Sequence, residues 1–165
     1  MTDTTWEQRV ADLWAAADRY PEAELRELME GLVAELPEDS PVAAYERGSV
    51  WDSTGHSDYA VPLYRDALAS GLSGRRRREA VIQLASSLRN LGQADESVAL
   101  LTAEAAAGSD GLDDAVDAFL ALALVDAGRE REAVAVALTA LSRHLTRFQR
   151  SLVAYTRELI EEAAD

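Results

Sequence analysis

Apolar residues recur at helical spacing from one end of this chain to the other. Trp6, Val10, Leu13, Trp14 and Ala17 fall at i, i+4, i+7, i+8 and i+11, one stripe along a helix. Thr4 with Glu7 forms a capping box ahead of that stripe. After Pro21, the residues Leu25, Leu28, Met29, Leu32 and Leu36 make a second stripe. Ser40 and Pro41 then read as the N-cap and first residue of a third helix. Near the C-terminal end, Phe148, Leu152, Tyr155 and Leu159 share one face of a final helix, expected to cover the open side of the helices before it.

Between these flanks the pattern repeats. GHSDYAVPLYRDAL from Gly55, GQADESVALLTAEA from Gly92 and GREREAVAVALTAL from Gly128 align without a gap. Each opens on Gly and has Val in the seventh column, with Ala60, Ser97 and Ala133 in the sixth. The tenth and thirteenth columns, expected to face inward, hold Tyr64 and Ala67, Leu101 and Glu104, Ala137 and Ala140. Ahead of each Gly stands a matching segment in which a small residue, Gly48, Ala85 or Ala121, precedes a large apolar one. The unit is therefore a helix, a turn closed by Gly in the left-handed conformation, and a second helix. Small residues at fixed helical positions let the two helices approach closely. The turns ALASGLSGRR and EAAAGSDGLDD, rich in Gly and Ser, separate one unit from the next. Nine helices are expected: a pair over 1–39, three two-helix repeats over 40–145 and a capping helix over 146–165, all in one domain.

The columns of small, large and Gly residues from Val42 to Leu141 resemble the tetratricopeptide repeat family. That resemblance implies an all-α fold, a right-handed superhelix of antiparallel helix pairs. It also implies that the first helix of each pair lines a concave groove that binds a protein or peptide. On that pattern the groove carries Tyr45, Ser49, Asp52, Ile82, Ser86, Arg89, Asn90, Leu122 and Asp126. A partner is expected to pack on Tyr45, Ile82 and Leu122 while Arg89 and Asn90 supply directional hydrogen bonds. Family members that grip chaperone C-terminal tails use Lys and Asn to clamp a carboxylate, and with no Lys and only Asn90 that clamp is not expected. More narrowly, Gly128-Arg-Glu-Arg-Glu-Ala with Arg150-Ser-Leu-Val-Ala-Tyr155 looks like a small bacterial group with extra helices at both ends, thought to dimerise.

Composition narrows the chemistry. With no Cys there is no disulfide frame, thiolate nucleophile or thiolate zinc site. All 16 basic residues are Arg, which excludes Schiff-base and P-loop lysines. The formal net charge of −14 opposes a general role on nucleic acid, since binding phosphate requires cations to displace its counterions. The beginning MTDTTWEQRV has no basic start and apolar run of a secretory signal, and no apolar stretch is long enough to span a membrane, so a soluble, cytoplasmic protein is expected.

His56 and His144 stand far apart with no partner at metal-ligand spacing, and are expected at the surface beside turns. Asp110, Asp113, Asp114 and Asp117 lack the alternation of a calcium loop, and Asp95, Glu96, Glu130 and Glu132 follow a repeat Gly at helix starts. Carboxylates in a first helical turn are favoured by the helix dipole, which accounts for both groups. Ser49, Ser86 and Ser87 have no nucleophile elbow. No catalytic group and no cofactor are expected.

Arg75, Arg76, Arg77 and Arg78 are the one charge anomaly, four cations where a helix begins. Their plain reading is a solvated turn with Arg stems lying on neighbouring helices. The functional reading is electrostatic docking of an acidic partner or of a second copy. A non-catalytic scaffold, homodimeric through its apolar terminal stripes, is the expected function, with a regulatory sensor taking a small ligand or signalling peptide as the alternative.

Overall fold

The computed structural model describes residues 5–161, which form nine α-helices and no strand. They are α1 (Trp6–Ala15), α2 (Glu22–Val33), α3 (Pro41–Ser53), α4 (Ser57–Ala69), α5 (Gly74–Asn90), α6 (Ala94–Ala107), α7 (Asp113–Asp126), α8 (Glu130–Ser142) and α9 (Gln149–Glu161). The number of helices is thus the expected one. None of these helices is long and apolar enough to cross a membrane. The chain divides into two compact units, Met1–Gln83 and Leu84–Asp165, with the boundary inside α5.

The three repeat glycines close their turns in one way. Gly55, Gly92 and Gly128 have φ of 81°, 78° and 73°. The next residue in each case, His56, Gln93 or Arg129, donates its N–H to the carbonyl five residues back, on Trp51, Leu88 or Leu124. This six-to-one bond satisfies a carbonyl that the helix end would leave orphaned, and only the left-handed glycine lets the chain curl back to make it. At the other end of α3, Pro41 is the first helical residue and Ser40 Oγ accepts from the Ala43 N–H at 3.4 Å. Thr4 of the expected capping box lies outside the described residues; Thr5 caps α1, accepting from the Gln8 N–H at 3.2 Å.

In the first unit α1 packs on α2, α2 on α3 and α3 on α4. Its core gathers Val10 and Leu13 of α1, Leu25, Met29 and Val33 of α2, and Ala43 and Val50 of α3, with Trp6, Trp14 and Leu32 packed around it. Leu28, expected in the α2 stripe, is exposed. The tightest contact joins α3 to α4. A Cβ built on Gly48 would stand 2.9 Å from two ring carbons of Tyr64, the tenth-column residue of the first repeat, which is completely buried.

In the second unit α6 packs on α7, α7 on α8 and α8 on α9. Ser97, sixth column of the second repeat, is buried and donates to the Ala85 carbonyl at 2.7 Å, so the small residue both permits the close approach and binds it. Leu101 and Glu104 are buried as the column pattern predicts, but in the third repeat Ala137 is exposed and Ala140 half-buried. A methyl is too short to reach across to the first helix as Tyr64 does. The final helix also departs from its expected face. Phe148 takes a left-handed φ of 68° just before α9 begins, and Thr156 of α9 is turned inward, 3.4 Å from Thr139 of α8. Leu152 and Leu159 flank Thr156 half-buried, whereas Phe148 and Tyr155 are 73% and 62% exposed.

Gly48→Ala is expected to destabilise the protein by about 1–3 kcal/mol, because the Tyr64 ring is sealed in and cannot give way. Gly31→Ala in α2 meets nothing within 4 Å and should instead stabilise by roughly 0.5–1 kcal/mol through the helix preference for Ala. Paired denaturant titrations of the two variants measure both signs.

Candidate functional site

The first helices of successive pairs are joined by side-chain bonds between residues about one repeat apart. In the first unit the Tyr45 hydroxyl donates to Glu79 Oε2 at 3.1 Å, and Ser49 Oγ to Gln83 Oε1 at 3.0 Å. Both pairs are 34 residues apart and link α3 to α5. Burial, then the nearby carboxylates of Glu79 and Glu46, push the Tyr45 phenol well above its usual pKa, so it stays a donor. In the second unit the Arg89 guanidinium bonds Asp126 Oδ2 at 3.1 Å, joining α5 to α7.

Beside the α3–α5 bonds lies a cleft of about 360 Å³, walled by Glu7, Val10, Ala11 and Trp14 of α1, Tyr45 and Glu46 of α3, and Arg75, Arg76 and Glu79 of α5. Glu46 is only 2% exposed. Its carboxylate accepts from the Trp14 indole N–H at 3.0 Å and from Arg76 Nε at 3.2 Å. Burial raises the Glu46 pKa, and the Trp14 and Arg76 bonds pull the other way. The far edge of the same guanidinium grips Glu7 in a two-pronged pair at 3.0 and 2.6 Å and lies 5.8 Å from the Trp6 ring. That bond holds the Glu7 carboxyl below its ordinary pKa and, with Glu46, keeps Arg76 charged.

This network answers the arginine anomaly. Arg76 ties three helices together, Arg75 pairs with Glu79 at 2.7 Å, and Arg78 is buried. Arg77 is exposed and also has a bonding partner. The cations that oppose the α5 dipole are offset by carboxylates from its own next turn and from α1 and α3. Glu7, Trp14, Glu46 and Glu79, which form the cleft with them, were not read as site residues from sequence. The signal available for them was the need of four adjacent cations for nearby carboxylates.

The residues expected along the groove divide by burial. Tyr45 and Ile82, each 6% exposed, and Ser49 are closed off between helices. The bonds of Tyr45 to Glu79 and of Ser49 to Gln83 close the face between α3 and α5. Asp52 is half-buried and turned to the α3–α4 corner, where it accepts from Ser57 Oγ at 3.4 Å. In the second unit Ser86 and Arg89 are half-buried, while Asn90, Asp126 and Leu122, the last 46% exposed, are open. Val125, 49% exposed, extends that apolar ground along α7. A shallow cleft of about 560 Å³ beside it is walled by residues of the α5–α6 and α7–α8 turns, among them Asp95, Glu96 and Asp126.

Several other polar residues bond within their own unit. Arg143 of the α8 end grips Asp114 and Asp117 of α7 at 2.6 Å each, and His144 sits 2.8 Å from Asp114. His56 packs with Trp51 and Tyr59, and Trp51 and Tyr59 stack at 4.8 Å. Among the described residues, no three of His, Asp and Glu converge as metal ligands would.

The family described as Tetratrico peptide repeat matches over residues 41–159, most of the chain. No curated protein matches. The solved structure titled MamA MSR-1 C2 is similar in fold, with a TM-score of 0.59 over 96% of this chain and 79% of that chain, at 19% identity.

Arg76→Gln is expected to cost about 1–3 kcal/mol at neutral pH, because it leaves the buried Glu46 charge without its cation. With that cation gone the folded-state pKa of Glu46, already raised, rises further above the unfolded value. The variant's deficit therefore grows as pH rises through it and shrinks on acidification, when Glu46 takes up a proton and Glu7 no longer gains from Arg76. Melting curves of parent and variant across the acidic range give this difference directly.

Proposed function

Because the chain belongs to the tetratricopeptide repeat family, whose domains bind proteins or peptides, we propose that it is a non-catalytic scaffold that works as a homodimer. The observation that carries the reading is the open part of the first-helix face, where exposed apolar ground at Leu122 and Val125 adjoins the Arg89 to Asp126 pair and Asn90. Apolar positions one helical step apart suit the alternate or i, i+3 side chains of a peptide laid along the helix. Arg89 and Asn90 offer donors, and Asp126 an acceptor, at the edge of that ground. The polar groups in the other cleft are bonded to one another, which suits a wall that holds shape rather than a site that transfers protons. Self-association is supported by Phe148, Tyr155 and Ile160, three large apolar side chains left exposed around one short helix.

The test is capture of partners from native lysate on the immobilised protein, compared with a Leu122→Asp/Asn90→Ala variant of unchanged helicity. Loss of the specifically retained protein, about tenfold or more in apparent affinity, is expected. Equal retention by parent and variant sinks the α7 face as the binding surface. Light scattering on the purified parent tests the dimer separately.

A further inference from the structure

Helices α6, α7 and α8 each open on two acidic residues, in accord with their dipoles. Two helices do the reverse. α5 opens on its arginines, and carboxylates of α1, α3 and its own next turn meet them. α9 has no acidic residue in its first turn and no basic residue in its last. Arg150 stands in its first turn, and Glu158 and Glu161 in its last, all three exposed. No carboxylate among the described residues pairs with Arg150.

We propose that the carboxylate Arg150 faces is on a second copy of this chain: α9 pairs with itself, antiparallel, across a twofold axis at Ala154. This rests on the reading of the protein as a homodimer and names the surface that makes it. Arg150 lies four residues before Ala154 and Glu158 four residues after, so the twofold sets each Arg150 against Glu158 of the other copy. Antiparallel pairing also places each Arg150 beside the negative end of the other helix and each Glu158 beside its positive end. The charge polarity that costs stability in an isolated α9 becomes favourable in the pair.

The rest of the exposed face fits the same operator. Ala154 at the centre is small and exposed, which allows the helix axes to approach closely. Phe148 and Ile160 remain exposed apolar side chains near the two ends of α9. A partner of uniform charge would suit one half of α9 and repel the other, and the charges to either side of Ala154 oppose a lipid surface.

The experiment is sedimentation equilibrium across a concentration series at about 0.15 M salt, where only close charge pairs act unscreened. Arg150→Glu and Glu158→Arg each set like charges face to face twice, and each should weaken self-association by about tenfold or more. Both substitutions match the α9 dipole better than the native residues, so lost association does not trace to a melted helix. Mixing the two variants should restore a dimer, since the mixed pair regains both opposite-charge contacts, and the Arg150→Glu/Glu158→Arg double variant should dimerise alone. A parent that stays monomeric at every concentration overturns the homodimer and this pairing together. A dimeric parent whose single variants remain dimeric, or whose mixture stays monomeric, keeps the homodimer and overturns the antiparallel α9 contact.

Discussion

The fold depends on how closely the two helices of a pair can approach. At Gly48 the missing side chain admits the Tyr64 ring, and at Ala85 a carbonyl receives the hydroxyl of Ser97. Each contact sets a small group on one helix against a group on the next that reaches over it. Dispersion and hydrophobic burial fall off steeply with any gap, so these positions decide whether the larger apolar residues around them meet at all. The repeated glycine turn serves the same end by returning the chain antiparallel with its last carbonyls satisfied.

Electrostatics in so acidic a chain is organised locally. Many carboxylates stand in the first turns of helices, where the partial positive charge of the dipole receives them, and several arginines clamp one helix to another. Arg76 holds α1 and α3 to α5, Arg143 holds α8 to α7, and Arg47 pairs with Glu30 to hold α3 to α2. Guanidinium suits this work because its planar fork can satisfy two carboxylates at once and stays charged at any working pH. The buried Glu46 is the least favourable charge of the set, tolerable because an indole and a guanidinium both donate to it.

A scaffold built this way has two kinds of surface. Where first helices lie side by side, their facing side chains bond to one another and close the middle of the face, which stiffens the frame. Outside those lines, apolar residues such as Leu122 and Val125 remain open, and the charges and apolar residues of α9 stay uncovered. Rigid backing with an open apolar strip keeps the ordering cost of association low.

Helix number, helix ends and the repeat period were legible in the sequence, because Gly55, Gly92 and Gly128, the Ser40-Pro41 start and the apolar stripes express local rules of backbone conformation and helical spacing. Those rules act over a few residues and need no knowledge of neighbours. The accessible part of the binding face was not legible. Tyr45 and Ile82 are closed and Leu122 open because of what packs over each, and α9 turns Thr156 rather than Tyr155 to its neighbour. The partners of the arginine run were likewise decided in three dimensions, since Glu7 and Arg76 stand 69 residues apart and meet only once the helices stack. Periodicity along a chain determines which face of a helix is apolar, while exposure depends on what covers that face, and that is a property of the assembled structure.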